Sequence, residues 1–255
     1  MDLGLTKRKV LVTGGSKGIG REICRRFLLE GAEVEFCARN AGQIESTAGE
    51  LSSHGSIRGT SVDVSDRTSL RAWVEAAATR LGGVDCVVAN ASALSIGVSE
   101  VNWRSGFDID LMGTQNLVDA AIPLLGLAAK EKSDASLVMI ASTAAAETTF
   151  ANAYGATKAA LIHLAKGLAR QHAALGIRFN CVSPGTVYFE GGTWHNIKQA
   201  MPDLYKQTLA RNPTGRMATP DDVANAVVFL SSPRSSFTSG INLVVDGALT
   251  QRVNY

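Results

Sequence analysis

Short apolar runs recur along the whole chain and alternate with longer stretches that have helical periodicity. Continuous apolar runs are typical of strands that are buried on both faces of a parallel sheet. The predicted strands lie at residues 10–12, 34–38, 57–62, 85–89, 136–141, 177–182 and 242–245. The pattern therefore predicts an α/β fold, a doubly wound domain of the Rossmann type with about seven parallel strands between helices.

The organisation of the chain favours one domain over residues 1–255, because no linker, repeat or low-complexity segment interrupts the alternation. The longest stretch between strands lies between residues 184 and 240 and contains at least two helical patterns. A stretch of this length leaves room for a lid over a binding site.

Composition and charge narrow the classes of function. The formal net charge is +2, from 25 basic and 23 acidic side chains, which leaves no basic footprint for nucleic acid. No run of about 18 apolar residues predicts a membrane-spanning helix, and residues 1–7 lack the apolar stretch of a secretory signal. Hence we expect neither a nucleic-acid partner nor a membrane partner.

The spacing of the cysteines does not indicate a disulfide framework or a metal site. Their spacing contains no C-x-x-C pair, and each lies within an apolar strand or helix pattern; they are Cys24, Cys37, Cys86 and Cys181. This arrangement favours buried, reduced thiols over disulfides or a zinc site. We therefore expect no metal and a reducing, cytoplasmic location.

A glycine-rich turn follows the first predicted strand, where residues 13–20 have the sequence TGGSKGIG. Glycines allow the backbone to approach a pyrophosphate, and the helix that follows directs its N-terminal amides towards it. The predicted cofactor-binding residues of this turn are Gly14, Ser16, Lys17, Gly18, Ile19 and Gly20. An ordinary loop is the alternative, and the position between a strand and a helix makes it less favoured.

The end of the second strand indicates which nicotinamide cofactor is bound. NAD sites of this architecture place an acidic residue there for the ribose hydroxyls, whereas this chain has Arg39. Arg39 and Lys17 could both pair with a 2′-phosphate. The residues predict NADP(H), and the alternative is that both cations are solvated surface charges.

Tyr154 and Lys158 are four residues apart, a spacing that places both on one face of a helix. A free phenol has a pKa near 10, and an adjacent ammonium favours its ionised form. Such a tyrosine can exchange a proton with a carbonyl oxygen as hydride is transferred. Ser142, after the fifth strand, could hydrogen-bond that oxygen, although a serine at a strand end more often caps a turn.

Together these motifs resemble the short-chain dehydrogenase/reductase family, whose fingerprint is T-G-x-x-x-G-x-G followed by Ser, Tyr and Lys. The matches run from Thr13 to Gly247, and the whole chain is similar to 3-oxoacyl-[acyl-carrier-protein] reductases. The resemblance implies an NADPH-dependent enzyme that reduces a ketone or 3-oxo group to a secondary alcohol, or runs the reverse reaction. It makes Tyr154 the acid/base, Lys158 its activator and ribose anchor, and Ser142 the carbonyl binder.

The resemblance also implies further cofactor contacts. Asp63 and Val64 match the pair that contacts adenine, and Asn90 matches the asparagine after the fourth strand, although Ser92 replaces the glycine that usually follows. The segment that closes over the nicotinamide would contain Pro184, Gly185 and Val187.

One position departs from the family pattern. The catalytic set has a fourth member, an asparagine in an N-x-x-G segment, and this chain has Asp110 there. In the family that residue supports a helix distortion, and its main-chain carbonyl holds a water that leads to the lysine. A carboxylate beside Lys158 would hold the lysine more tightly or alter the proton relay.

Substrate contacts follow from the family's lid, which corresponds to residues 188–215. Phe189 and Trp194 in this segment, with Leu94 beyond the fourth strand, predict a small and apolar carbonyl or alcohol substrate. Packing of the lid onto the core explains the aromatic residues equally well. A carrier-bound substrate is less favoured, because the basic residues that would dock an acidic carrier are missing before the fifth and sixth strands.

The assembly and the rival functions also rest on the resemblance. Family members pair the long helices, here around 101–127 and 151–174, into homodimers and usually homotetramers. An NAD-linked alcohol or diol dehydrogenase is the first alternative function. A cofactor-binding regulator without catalysis is the second, and Asp110 is the feature that supports it.

Overall fold

The computed structural model describes residues 1–148 and 150–253. Thr149, Asn254 and Tyr255, which belong to the predicted domain 1–255, lie outside the described residues. Within the described chain seven parallel strands form one sheet, which confirms the predicted fold class. The strands are β1 (Lys9–Thr13), β2 (Glu33–Ala38), β3 (Ile57–Ser61), β4 (Cys86–Ala89), β5 (Ala135–Ile140), β6 (Ile177–Pro184) and β7 (Asn242–Val245).

Helices occupy the stretches between most strands. They are α1 (Gly18–Leu29), α2 (Ala41–Leu51), α3 (Arg67–Leu81), α4 (Glu100–Ser105), α5 (Gly113–Lys132), α6 (Ala153–His172), α7 (Thr193–Ala200), α8 (Pro202–Ala210) and α9 (Pro220–Ser231). A π-helical segment, Gly106–Met112, joins α4 to α5. Short 3₁₀ turns lie at Ser52–His54, Thr143–Ala145, Ala173–Leu175 and Pro233–Ser235.

The strand order is β3-β2-β1-β4-β5-β6-β7, so the chain reverses direction across the sheet between β1 and β4. Helices α3, α5 and α6 pack their apolar sides on one face, while α1, α2 and α9 pack on the other. In such sheets ligands bind outside the carboxyl ends of the strands, at the point where the order reverses. The fold therefore predicts a site at the ends of β1 and β4.

All four cysteines are buried and free. Burial raises the pKa of the Cys37, Cys86 and Cys181 thiols to about 12. A thiol reacts as its thiolate, so these groups act as small apolar side chains. Among the helices of the described residues, none is long and apolar enough to cross a membrane.

Candidate active site

A cavity of about 840 Å³ opens where the fold predicts a site. Nearly all of the predicted site residues line it, although they come from segments far apart in the chain. These residues are Gly14, Ser16, Lys17, Gly18, Ile19, Gly20, Arg39, Asp63, Val64, Asn90, Leu94, Ser142, Tyr154, Lys158, Pro184, Gly185, Val187, Phe189 and Trp194. Asp110 is buried behind the wall of the cavity, in contact with Lys158.

The glycine turn is folded too tightly for side chains at key positions. A Cβ on Gly20 would lie 2.1 Å from the carbonyl oxygen of Gly14, and Gly18 has a left-handed φ of +54°. Helix α1 begins at Gly18, so its free amides and positive dipole face the turn. The turn therefore offers the close backbone approach and the free amides that a pyrophosphate needs.

Asn90 connects the end of β4 to the glycine turn that follows β1. Its amide donates to the carbonyl oxygens of Thr13 and Gly14, both at 3.0 Å. The Thr13 hydroxyl in turn accepts from the backbone amides of Asn90 and Ala91. Asn90 is therefore a structural anchor of the glycine turn as well as a cavity residue.

Lys17 and Arg39 lie at the end of the cavity that would hold adenosine, and both are exposed. Neither forms an ion pair within the described residues, whereas the neighbouring Arg21 pairs with Glu50 at 2.6 Å. The Ser61 hydroxyl donates to the carbonyl oxygen of Arg39 at 3.1 Å, which fixes the backbone there. Two cations without carboxylate partners suit a phosphate group.

Ser142, Tyr154 and Lys158 all line this cavity. Ser142 lies two residues after the end of β5. Its hydroxyl accepts from the amide of Ala144 at 3.1 Å, which leaves its proton for another acceptor. Tyr154 is half-buried at the start of α6, one turn before Lys158, and the Nζ of Lys158 lies 5.6 Å from its ring centre. The four-residue spacing therefore brings phenol and ammonium together as predicted.

Asp110 makes a direct ion pair with Lys158, with 2.9 Å between Oδ1 and Nζ. The π-helical segment that contains Asp110 is the helix distortion expected from the family. The main-chain carbonyl of Asp110 accepts from the Thr114 hydroxyl at 2.7 Å. The carboxylate also accepts from the Ser92 hydroxyl at 2.6 Å. Sequence reasoning anticipated a carboxylate beside Lys158 but missed the part of Ser92.

Phe189 lines the cavity beside the glycine turn. A Cβ on Gly18 would lie 2.5 Å from its Cζ, so the ring packs on the glycine turn. Its predicted role as a substrate contact stays a prediction. Trp194, at the start of α7, and Leu94 line the cavity as well. Ile96, which follows Leu94 in the loop after β4 and was expected to line the same wall, also lines the cavity. Cavity residues that sequence reasoning missed include Phe150 and Asn152, whose loop gave no distinctive motif.

The doubly wound sheet, the glycine turn and the Ser-Tyr-Lys group at its switch point are typical of nicotinamide-dependent oxidoreductases. The family model described as "Enoyl-(Acyl carrier protein) reductase" matches residues 14–250. The chain therefore belongs to the short-chain dehydrogenase/reductase family of oxidoreductases.

Named relatives agree with this assignment. Isoepoxydon dehydrogenase patN of Penicillium expansum is 37% identical over 254 residues, which cover 96% of each chain. The 3-oxoacyl-[acyl-carrier-protein] reductase FabG of Chlamydia pneumoniae is 32% identical and covers 98% of this chain and 100% of its own. The structure of L-sorbose reductase from Gluconobacter frateurii, complexed with NADPH and L-sorbose, has a TM-score of 0.88 at 27% identity, covering 99% and 100%.

Proposed function

We propose that this protein is an NADP(H)-dependent reductase that converts a ketone or 3-oxo group to a secondary alcohol, or catalyses the reverse oxidation. The observation that carries the proposal is the shared cavity, which Ser142, Tyr154 and Lys158 line together with the glycine turn. A dinucleotide that spanned this cavity would bring its nicotinamide to the three side chains.

The preference for NADP(H) is part of the proposal. Lys17 and Arg39 supply two cations at the adenosine end, and no carboxylate among the described cavity residues pairs with them. Asp63 lines the same end, but its carboxylate accepts from the amide and hydroxyl of Ser65. The related L-sorbose reductase was solved with NADPH.

Each side chain has a defined part in the reaction. The cofactor, when bound, supplies or takes up the hydride at the substrate carbon. Ser142 donates a hydrogen bond to the substrate oxygen and fixes its position. Tyr154 gives its phenolic proton to that oxygen during reduction and accepts one during oxidation. Lys158 favours the phenolate through its charge and holds the ribose; Val187 and its neighbours, Pro184 and Gly185, close the nicotinamide end.

The substrate that fits this proposal is small and largely apolar. Leu94 and Trp194 form apolar parts of the cavity wall. We further propose that residues 188–215, which contain α7 and α8, act as the lid of a single domain. Enclosure by such a lid excludes water from the reacting groups.

Assembly and compartment complete the proposal. Val101, Trp103 and Phe107, on α4 and the π-helical segment, are 72%, 43% and 52% exposed, and an apolar surface of this kind supports a homodimer or homotetramer. Light scattering coupled to size exclusion measures the mass directly. The buried free thiols support a reducing, cytoplasmic location.

The proposal is tested by cofactor oxidation across a panel of ketones, 3-oxoacyl esters and quinones, with NADPH and NADH in parallel. Turnover that favours NADPH with any member supports both the reaction class and the cofactor. Tight NADPH binding without turnover in either direction would contradict the catalytic proposal.

A second candidate is an NAD-linked alcohol dehydrogenase. The observation in its favour is the relative at 37% identity, which is named a dehydrogenase. Oxidation of secondary alcohols with NAD⁺ at a higher kcat/KM than with NADP⁺ would favour this candidate.

A further inference from the structure

The carboxylate of Asp110 is the centre of a buried hydrogen-bond network. Its Oδ1 atom accepts from Lys158 Nζ at 2.9 Å and from Ser92 Oγ at 2.6 Å. Its Oδ2 atom accepts from the backbone amide of Ala93 at 2.8 Å. Lys158 and Asp110 are only 2% and 1% exposed. The Coulomb attraction between opposite charges strengthens as water is excluded, so the ion pair with Asp110 is the main electrostatic interaction of Lys158 among the described residues.

Ser92 connects the ion pair to the wall of the cavity. The amide of Leu94 donates to the Ser92 hydroxyl at 3.1 Å, and Leu94 has a left-handed φ of +50°. A side chain pays a conformational cost in this region, so the backbone needs an anchor. Leu94 and Ile96, both in this loop, line the cavity. The loop after β4 is thus tied to the catalytic lysine through one hydroxyl and one carboxylate.

The network also changes the charge next to Tyr154. Lys158 has three protons; one goes to Asp110 and one to the carbonyl oxygen of Ile140 at 2.9 Å, which leaves one for a ribose hydroxyl. The titratable groups that face Lys158 are Asp110 on the π-helical segment, Tyr154 on α6 and Cys181 on β6. Burial raises the pKa of the Cys181 thiol to about 12, so this group stays neutral. Asp110 is therefore the anion that balances Lys158.

We propose that Ser92 and Asp110 form a clamp on Lys158. Asp110 partly neutralises the charge of Lys158 and thereby sets the pH dependence of proton exchange at Tyr154, while Ser92 holds the loop of Leu94 against the ion pair. The inference rests on the proposed function. Ser92 and Asp110 replace the glycine and asparagine of the family pattern, and the structure places the two replacements in contact. They act as positioning residues, Asp110 through Lys158 and Ser92 through Asp110 and the backbone of Leu94.

The pH profile of alcohol oxidation tests the charge effect. In Asp110→Asn the lysine charge is no longer balanced, which favours the phenolate. We expect the pH of half-maximal kcat/KM to fall by about one unit, the effect of one uncompensated charge at short range. The matched control is Asp108→Asn, which removes an exposed carboxylate from the same π-helical segment and should leave the midpoint in place.

The Ser92→Ala variant separates the anchoring of Leu94 from the charge effect of the Asp110 carboxylate. This variant keeps the carboxylate but removes the anchor of Leu94, so kcat/KM should fall several-fold at all pH values while the midpoint stays in place. A midpoint that is the same in wild type and Asp110→Asn would overturn the clamp, even if turnover fell. Such a result would mean that Asp110 has only a structural role.

Unfolding midpoints test the clamp without turnover. Lys158→Met leaves the Asp110 carboxylate buried and unpaired, and we expect a loss of roughly 10 °C. Adding Asp110→Asn should restore part of that loss. If the loss of unfolding midpoint in the double variant equals the sum of the losses in the two single variants, the ion pair is absent in solution and the clamp is refuted. Inactivity of the wild type would refute only the proposed function. The comparison of unfolding midpoints would still test the clamp, because it does not depend on turnover.

Discussion

The ring of Phe189 packs against Gly18, so closely that a Cβ on Gly18 would lie 2.5 Å from the Cζ atom of Phe189. Gly18 is the first residue of α1 and belongs to the glycine turn. Phe189 comes two residues after Val187, in the predicted lid. This contact joins the predicted lid to the glycine turn. We therefore predict that closure of the lid and binding of the cofactor are linked through this ring.

Gly18→Ala should weaken cofactor binding by roughly tenfold or more, because the left-handed backbone strains a side chain there and the methyl group displaces Phe189. Fluorescence titration with NADPH measures the change. Gly126→Ala is the matched control, since a Cβ at Gly126 in α5 meets no atom within 4 Å. That variant should keep its NADPH affinity and gain about 0.5–1 kcal/mol of stability. Equal NADPH affinity in both variants would contradict the role of Gly18.

Tyr154→Phe should reduce kcat by roughly 10²–10⁴-fold, because the variant lacks the proton that the substrate oxygen needs. The dissociation constant for NADPH should change little, since the phenyl ring keeps its place on α6. Steady-state kinetics and a binding titration on the same preparation check both statements. Turnover like that of the wild type would remove Tyr154 from the mechanism.

Arg39→Ala should raise the KM for NADPH by roughly ten- to a hundredfold, the range expected for one charge-assisted hydrogen bond. The KM for NADH should stay within about twofold, because NADH lacks the 2′-phosphate. Arg58→Ala, which removes an exposed arginine from β3, provides the control. Equal effects of Arg39→Ala on the two cofactors would argue against a phosphate contact.

Asp222 should stabilise the start of α9 in a pH-dependent way. It accepts from the amide of Thr219 at 2.8 Å and pairs with Arg216 at 2.6 Å. The guanidinium of Arg216 is the main reason that the pKa of Asp222 lies well below its ordinary value. A lowered pKa adds stability above the unfolded value near 3.9, and that stability is lost as the pH falls below it.

Asp222→Asn should therefore cost about 1 kcal/mol at pH 7, a value kept small because the pair is partly exposed. The difference from wild type should shrink as the pH falls from 4 towards 2. Urea unfolding at several pH values measures this difference. A gap that stays constant from pH 7 to pH 2 would show that the ionised form of Asp222 contributes nothing.

The fold could be predicted from the sequence because its elements depend on local pattern. Buried parallel strands need continuous apolar runs, such as residues 86–89, and the strand bounds in the structure differ from the predicted ones by only one or two residues. The largest shift is at β6, which continues to Pro184 because β7 pairs with its last residues. The paired residues of β6 and β7 are far apart in the chain, so a local sequence pattern cannot predict where their pairing ends.

Much of the candidate site was also predictable, because its motifs sit at fixed offsets on single elements. Tyr154 and Lys158 share one helix, so their spacing already implied their proximity. Ser92 and Asp110 are 18 residues apart and belong to different elements, and each by itself resembles a simple departure from the family pattern. Their contact becomes visible only when the π-helical segment packs beside the loop that follows β4, because the geometry of that packing is not encoded in any local motif.

The most direct test of the central claim is transfer of isotope from NADPH that carries deuterium at C4 of the nicotinamide. The best carbonyl substrate of the panel is reduced in turn with the two C4 epimers of the labelled cofactor, and the alcohol is analysed by mass spectrometry and NMR. The proposed mechanism predicts that one epimer delivers its deuterium to the carbinol carbon, with little transfer in Tyr154→Phe. An alcohol that forms without deuterium from either epimer would contradict direct hydride transfer and with it the proposed function.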